Sequence, residues 1–173
     1  GLCFTSPPYS DQRTYSGNKD LSTKHLAIFI SVACDFVDFF CVNLGIKRKN
    51  GEIIEYWRDY IEAAKNAGMK IVSWNIWDKG RGGSVGSMTA MFPVEHEWIF
   101  VFGHKPKGLI PTIPNLTAGQ KTEARIMSRE GTYSEPKSCV KRDFGEIGTV
   151  IRCRQVDKND KHPAAFPVEL PKQ

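Results

Sequence analysis

Hydrophobic residues in the first 103 positions follow two periods that alternate along the chain. Short runs rich in apolar residues predict strands at Leu2–Thr5, 41–46, 70–77 and 97–103, of which the first and the last read as buried. Apolar residues three and four positions apart predict helices over 26–40 and 55–67, and Gly68 stands where a left-handed C-cap would end the second helix. The order strand, helix, strand, helix, strand, strand predicts an α/β fold whose last two strands form an antiparallel hairpin.

A glycine-rich stretch over 79–87 separates the last two strands. A glycine loop that binds phosphate leaves a strand and opens a helix. Residues 88–93 lead into the next strand instead, so the stretch predicts a hairpin loop. Its cations Lys79 and Arg81 remain candidates for contact with a nucleic-acid backbone.

The composition changes after residue 103. Prolines and glycines replace most large apolar residues from 106 onward, which predicts an irregular excursion that adds little to the core. Val150 and Ile151 predict a strand that returns to the sheet. The single domain therefore divides into an α/β region over 1–103, a basic excursion over 104–161 and the start of a further helix over 162–173.

The overall composition fits one folded core, since 40% of the 173 residues are hydrophobic. Five cysteines without a C-x-x-C pair predict reduced thiols and a cytoplasmic location. The histidines show no ligand spacing, so no metal site is predicted. The apolar run over 26–44 contains Asp35 and Asp38, which favours a core segment over a membrane span.

The net charge of +5 is concentrated in the excursion. Residues 104–161 carry twelve Lys/Arg against seven Asp/Glu, whereas the rest of the chain is balanced. Two interpretations remain open: a surface that binds a polyanion, or a solvated loop with a modest excess of cations. The cations that we single out as DNA contacts are Lys79, Arg81, Lys105, Lys107, Arg125, Arg129, Lys141 and Arg142.

The segment that follows the first strand has the character of a binding site. Pro7 and Pro8 have no N–H to donate, so strand pairing must stop at Ser6. The Ser6 hydroxyl and the carbonyls beside it are rigid acceptors, and Tyr9 offers an aromatic face on which a ring could stack. A strand-to-loop turn and a proline-rich recognition peptide are the alternatives.

Ser6-Pro7-Pro8-Tyr9 resembles the catalytic motif of the amino-directed DNA methyltransferases, in which Asp, Asn or Ser precedes Pro-Pro and an aromatic residue. The resemblance implies a partial Rossmann-like methyltransferase sheet. It also implies that Ser6 and the Pro7 carbonyl hydrogen-bond the exocyclic amino group of a flipped base, while Tyr9 stacks on that base. The methyl donor would be S-adenosylmethionine and the substrate double-stranded DNA.

A second segment resembles the same family near the C-terminus, where His162-Pro163 precedes Phe166-Pro167. The resemblance places these four residues beside the cofactor, with Phe166 and Pro167 against its methionine end; a proline-rich helix start is the alternative. Two further family-like segments, Trp74-x-x-Trp77-x-Lys79 and His96-Glu97-x-Ile99-x-Val101-Phe102, lie between the anchors. This permuted order implies that residues 104–161 read the target sequence.

One departure limits the resemblance, because the family's glycine-rich cofactor motif does not appear before Gln173. We therefore expect the catalytic and target-recognition portion of a DNA methyltransferase, with a homodimer or a complementing chain as the candidate protein partners. Serine at the first motif position favours cytosine N4 over adenine N6. A non-catalytic DNA-binding remnant is the alternative function, and an RNA or protein methyltransferase is a third.

Overall fold

The computed structural model describes residues 1–7, 23–80, 94–105, 111, 113–145 and 148–153, with the backbone alone for 23–27. The chain forms two compact units. The first, the sheet unit, comprises Gly1–Lys107 and Thr149–Gln173, and the second, the inserted unit, comprises Gly108–Gly148. The chain therefore leaves the sheet unit once and returns to it.

The described secondary structure of the sheet unit begins with strands and helices in alternation. Its elements are β1 (Leu2–Thr5), α1 (Thr23–Ala33), β2 (Phe39–Leu44), β3 (Arg48–Lys49), β4 (Glu52–Ile53), α2 (Trp57–Asn66), β5 (Lys70–Asp78) and β6 (His96–Gly103). The inserted unit supplies β7 (Ile113–Pro114), β8 (Lys121–Ala124), β9 (Lys137–Val140) and β10 (Phe144–Gly145). The chain then returns to the sheet unit as β11 (Val150–Arg152), which confirms the predicted return strand.

Among the described residues, the main sheet has five strands in the order β1-β2-β6-β5-β11. β1 runs parallel to β2, and β5 runs parallel to β11. β6 lies between β2 and β5 and is antiparallel to both. The α/β class and the antiparallel pairing of the last two predicted strands are therefore confirmed, whereas a Rossmann-like arrangement of the complete sheet remains a prediction.

The two faces of the sheet bury different side chains because residues alternate along each strand. Phe40, Val42 and Leu44 of β2 pack with the helices in the larger core. Cys41 of the same strand packs on the opposite face with Trp77 and Ile99. β6 buries side chains on both faces, which explains why its sequence is continuously apolar rather than alternating.

The first helix is shorter than the sequence predicts, since the prediction extends it to residue 40. α1 ends at Ala33, Phe36 is 80% exposed, and Phe40 is a buried residue of β2. The apolar spacing up to Phe40 fits a helix and a strand equally well, and the six backbone pairs between β2 and β6 decide for the strand.

In the described part of the chain, no helix is long and apolar enough to cross a membrane.

Two turns depend on residues with positive φ. Asn50 and Gly51 have φ of 52° and 86° and close the β3–β4 hairpin, as expected for a two-residue turn of this kind. Gly68 has φ of 77° and follows Ala67, the residue that caps α2, which confirms the predicted left-handed conformation at the end of this helix.

The inserted unit is more regular than the sequence predicts. β7 pairs with β10 and β8 pairs with β9, both antiparallel, and a further bridge joins Met127 to Tyr133. The prediction of an irregular excursion is wrong here, because backbone hydrogen bonds pair these strands into a two-stranded ribbon over 113–145. The ribbon has no buried apolar face, so its sequence shows no apolar pattern. The described side chains of the unit are exposed or half-buried, so it contributes little core, as predicted.

Gly103 provides a test of the packing at the end of β6. A Cβ atom at this position would lie 2.8 Å from Cδ1 of Phe39 and 3.2 Å from the backbone oxygen of Asp38. We expect Gly103→Ala to lower the free energy of unfolding by about 1–3 kcal/mol, because the strands must shift to admit the methyl group. Urea unfolding followed by tryptophan fluorescence measures the change.

Gly148→Ala is the matched control, since a Cβ atom there meets nothing within 4 Å. Equal stability of the two variants would contradict the close approach of β6 and the start of β2.

Candidate functional site

The candidate site lies where β1 ends. Ser6 and Pro7 follow Thr5 directly, and the carboxyl ends of β1, β2 and β5 meet at this edge of the sheet together with the start of β6. Open α/β sheets bind ligands at the carboxyl ends of their parallel strands. Pro8 and Tyr9, the other two residues of the motif, lie outside the described residues.

Asn43 connects the end of β1 to the interior of the sheet. Its side chain is 1% exposed, and its Nδ2 atom donates to Oε2 of Glu97 at 2.6 Å and to Oγ of Ser6 at 3.4 Å. Its Oδ1 atom is buried and has no hydrogen-bond partner in the described part of the chain. Burying an amide costs free energy unless the amide is hydrogen-bonded, so Asn43 favours the arrangement that keeps its bonds to Glu97 and Ser6. The Ser6 hydroxyl is therefore held by a contact with a buried side chain.

Glu97 forms a nearly buried ion pair with Lys79. The Lys79 Nζ atom lies 2.9 Å from Oε1 of Glu97, and the two side chains are only 9% and 14% exposed. The ammonium also lies 5.7 Å from the centre of the Trp77 ring, which adds a cation–π contact. Ser6, Asn43, Glu97 and Lys79 together are called the polar network below.

Strand register explains how four residues distant in sequence meet. Asn43 of β2 pairs with Ile99 of β6, so Glu97 lies one pleat further along the same face. Trp77 of β5 pairs with Glu97, which places Lys79 diagonally across from the carboxylate. The polar network therefore crosses the sheet in strand order, from the end of β1 to the end of β5.

Two buried ionisable groups, the Cys41 thiol and the Tyr56 phenol, lie close to the polar network. Burial raises the pKa of the Cys41 thiol to about 11, with a smaller contribution from Cys3. Burial also raises the pKa of Tyr56, helped by Tyr60 and Glu97, and its hydroxyl donates to the Gly45 carbonyl at 2.5 Å. Cys41 and Tyr56 are therefore protonated at neutral pH and are not poised as nucleophiles.

The other predicted site residues are placed differently. Lys105, Arg125, Arg129 and Arg142 are exposed, as a contact with DNA requires. Lys141 is half-buried and donates to the Thr117 hydroxyl at 3.1 Å. The remaining predicted residues lie outside the described part of the chain, namely Arg81, Lys107, His162, Pro163, Phe166 and Pro167.

Lys79 needs a separate assessment among the predicted DNA contacts. Its ammonium is directed at Glu97 inside the sheet unit, and little of the side chain reaches solvent. This placement argues against contact with a DNA backbone and favours a role in the polar network.

The distribution of charge also differs from the simple expectation. The inserted unit over 108–148 holds six Lys/Arg against five Asp/Glu, so most of the excess in 104–161 lies in the segments that flank it. Cations of the unit can still contact phosphates individually, but the unit as a whole is nearly neutral.

The sequence analysis missed Asn43, although it identified the strand that contains it. The available signal was a single amide inside an apolar run, in a strand position where asparagine is disfavoured.

The described residues contain no group of three or more His, Cys, Asp or Glu side chains that could hold a metal ion.

Comparisons with known proteins identify the class of this chain. A family model described as DNA methylase, of the N6/N4 type, matches residues 1–173. The chain belongs to this DNA methylase family. It matches no curated protein.

A solved structure of a provisionally assigned DNA modification methylase from Thermus thermophilus is similar to part of the chain. The two are 19% identical, with a TM-score of 0.44 over 64% of this chain. The chain spans about half of that protein, namely 47% of its length.

The ion pair of the polar network can be tested through stability. We expect Lys79→Met to lower the free energy of unfolding by about 3 kcal/mol, because the largely buried carboxylate loses the ammonium that offsets its desolvation. The double variant Lys79→Met/Glu97→Gln should recover most of this loss, since neither charge is then buried. Chemical denaturation at neutral pH measures both.

Lys70→Met, at the exposed start of β5, is the matched control and should change stability little. A loss at position 79 no larger than that at position 70 would show that the ion pair does not stabilise the sheet.

Proposed function

We propose that this chain carries the catalytic and target-recognition portion of an S-adenosylmethionine-dependent DNA methyltransferase that modifies an exocyclic amino group. Membership of the DNA methylase family supports the reaction class. The observation that carries the assignment of the site is the hydrogen bond from Asn43 to Ser6. It ties the acceptor of the Ser6-Pro7 motif to a buried network at the carboxyl ends of the strands.

Ser6 and Pro7 act by orienting the amino group. The Ser6 Oγ atom and the Pro7 carbonyl oxygen accept its two N–H groups, which turns the nitrogen lone pair out of conjugation with the ring. S-adenosylmethionine supplies the electrophilic methyl group, whose carbon–sulfur bonding electrons remain on sulfur. Neither Ser6 nor Pro7 is a strong base, so the proton that the methylated nitrogen loses passes to water.

Tyr9 and the C-terminal signature complete the proposed site. Tyr9 stacks on the flipped base, and this contact offsets roughly 1–3 kcal/mol of the free energy needed to unstack the base from the duplex. Pro8 fixes the backbone between the acceptor groups and the Tyr9 ring. His162 and Pro163 lie beside the cofactor, and Phe166 with Pro167 borders its methionine end. These roles rest on the resemblance of the motifs.

Cytosine N4 is the proposed target atom and adenine N6 the alternative, since both reactions use the same acceptor geometry. The segment over 104–161 reads the DNA sequence. Its exposed cations and its exposed Tyr133 and Phe144 suit phosphate contacts and stacking.

The first prediction for this function concerns the acceptor. We expect Ser6→Ala to lower kcat for methyl transfer to mixed-sequence DNA about 100-fold, because one of the two groups that hold the amino nitrogen is lost. Incorporation of label from methyl-labelled S-adenosylmethionine measures the rate.

Two further variants sharpen this test. Ser6→Asn should retain activity because asparagine also offers an oxygen acceptor. Ser31→Ala, on the exposed side of α1, should not alter the rate. A fully active Ser6→Ala enzyme would contradict the proposed role of the hydroxyl.

A DNA-binding module without catalytic activity is the second candidate function. The exposed ribbon of the inserted unit supports it, because this part of the chain forms backbone pairs of its own without residues of the catalytic motif. Only the enzyme should bind S-adenosylmethionine, so calorimetric titration of the cofactor separates the two functions. DNA binding without cofactor binding would favour the second.

The DNA contacts of the ribbon predict a change in salt dependence. We expect Arg125→Gln/Arg129→Gln to reduce the slope of log K against log salt by about 2, or about 1 for each phosphate contact that is lost. Fluorescence anisotropy with a labelled duplex at several salt concentrations measures the slope. Arg58→Gln, at an exposed position on α2, is the control. If the double variant and this control had the same slope, Arg125 and Arg129 would not contact DNA phosphates.

A further inference from the structure

The orientation of the Asn43 amide determines what is presented to Ser6. Its nitrogen and oxygen have nearly the same shape, so the hydrogen-bond partners decide which atom points in which direction. Nδ2 faces two acceptors, Oε2 of Glu97 and Oγ of Ser6, whereas Oδ1 is buried with no partner in the described part of the chain. An unsatisfied buried oxygen is unfavourable, so a stronger interaction must hold the amide in this orientation.

The Glu97 carboxylate supplies that interaction. An ionised carboxylate accepts hydrogen bonds and donates none, so it excludes Oδ1 from its side of the amide. Lys79 binds the other carboxylate oxygen at 2.9 Å and balances its charge in a largely water-free environment. The ion pair therefore fixes the Asn43 amide with its two hydrogens toward Glu97 and Ser6.

We propose that Asn43, Glu97 and Lys79 are positioning residues that hold the Ser6 hydroxyl as an acceptor for the target amino group, an inference that rests on the proposed methyl transfer. Asn43 occupies one lone pair of Oγ, so the Ser6 hydrogen turns away from the amide and the second lone pair remains for the substrate. With the amide reversed, Oδ1 would instead attract the Ser6 hydrogen. The hydroxyl orientation would then no longer be fixed by a donor.

The first test does not depend on activity. In the chain labelled with ¹⁵N-asparagine, the Asn43 side-chain amide is identified as the signal lost in Asn43→Asp. We expect slow hydrogen exchange for this amide in the wild-type chain. In Lys79→Met/Glu97→Gln, exchange should be at least tenfold faster, because glutamine can donate as well as accept and no longer fixes the amide. Unchanged exchange in a folded double variant would overturn the proposal.

The second test measures methyl transfer in a cycle of variants. Lys79→Met/Glu97→Gln should lower kcat at least tenfold while the KM values for DNA and S-adenosylmethionine stay within twofold. In a Ser6→Ala background, the same pair of substitutions should have no further effect, because the hydroxyl that they position is absent. Glu95→Gln, an exposed neighbour on the chain, should leave kcat unchanged.

The outcomes of the two tests are distinguishable. An equal loss of kcat with and without the Ser6 hydroxyl would show that the network only stabilises the sheet, and the proposal would be wrong. If the wild-type protein transferred no methyl group, the proposed function would fail, while the exchange measurement would still decide whether the ion pair fixes the Asn43 amide.

Discussion

The ion pair between Lys79 and Glu97 is the interaction on which the arrangement of the sheet edge depends. Two charges that are largely removed from water are tolerable only in mutual contact. This contact requires that β5 and β6 pair in the observed register, since a slip of one residue would turn one charge to the opposite face. The register of β2 with β6 places Glu97 within reach of Asn43, and the register of β1 with β2 places Asn43 within reach of Ser6.

The central antiparallel strand β6 contributes Glu97 to the polar network. β6 starts at the edge where the parallel strands end, so it can deliver a side chain from its first residues to that edge. Glu97 is placed there by position along the strand rather than by a loop. Rigid elements hold functional groups more accurately than loops do.

The sequence predicted the parts of the fold in which burial leaves a periodic pattern. β1, β5, β6, α2 and β11 follow from apolar runs and helical spacing. The end of α1 could not be predicted, because Phe36 and Phe40 suit either period and only pairing with β6 assigns Phe40 to a strand. The ribbon of the inserted unit was missed because its exposed residues carry no such pattern. Lys79 and Glu97 were noticed as parts of family-like segments, but their contact follows from strand register.

The return of the chain to the sheet affects how the protein folds. Val150 of β11 pairs with Ile76 of β5, 74 positions earlier, with the whole inserted unit between them. Pairs between neighbouring segments such as β5 and β6 lose less chain entropy on closing, so β11 is expected to join last. Until then the outer side of β5 is an open strand edge beside the half-exposed Trp74. During synthesis this open edge can pair with another chain, which favours aggregation.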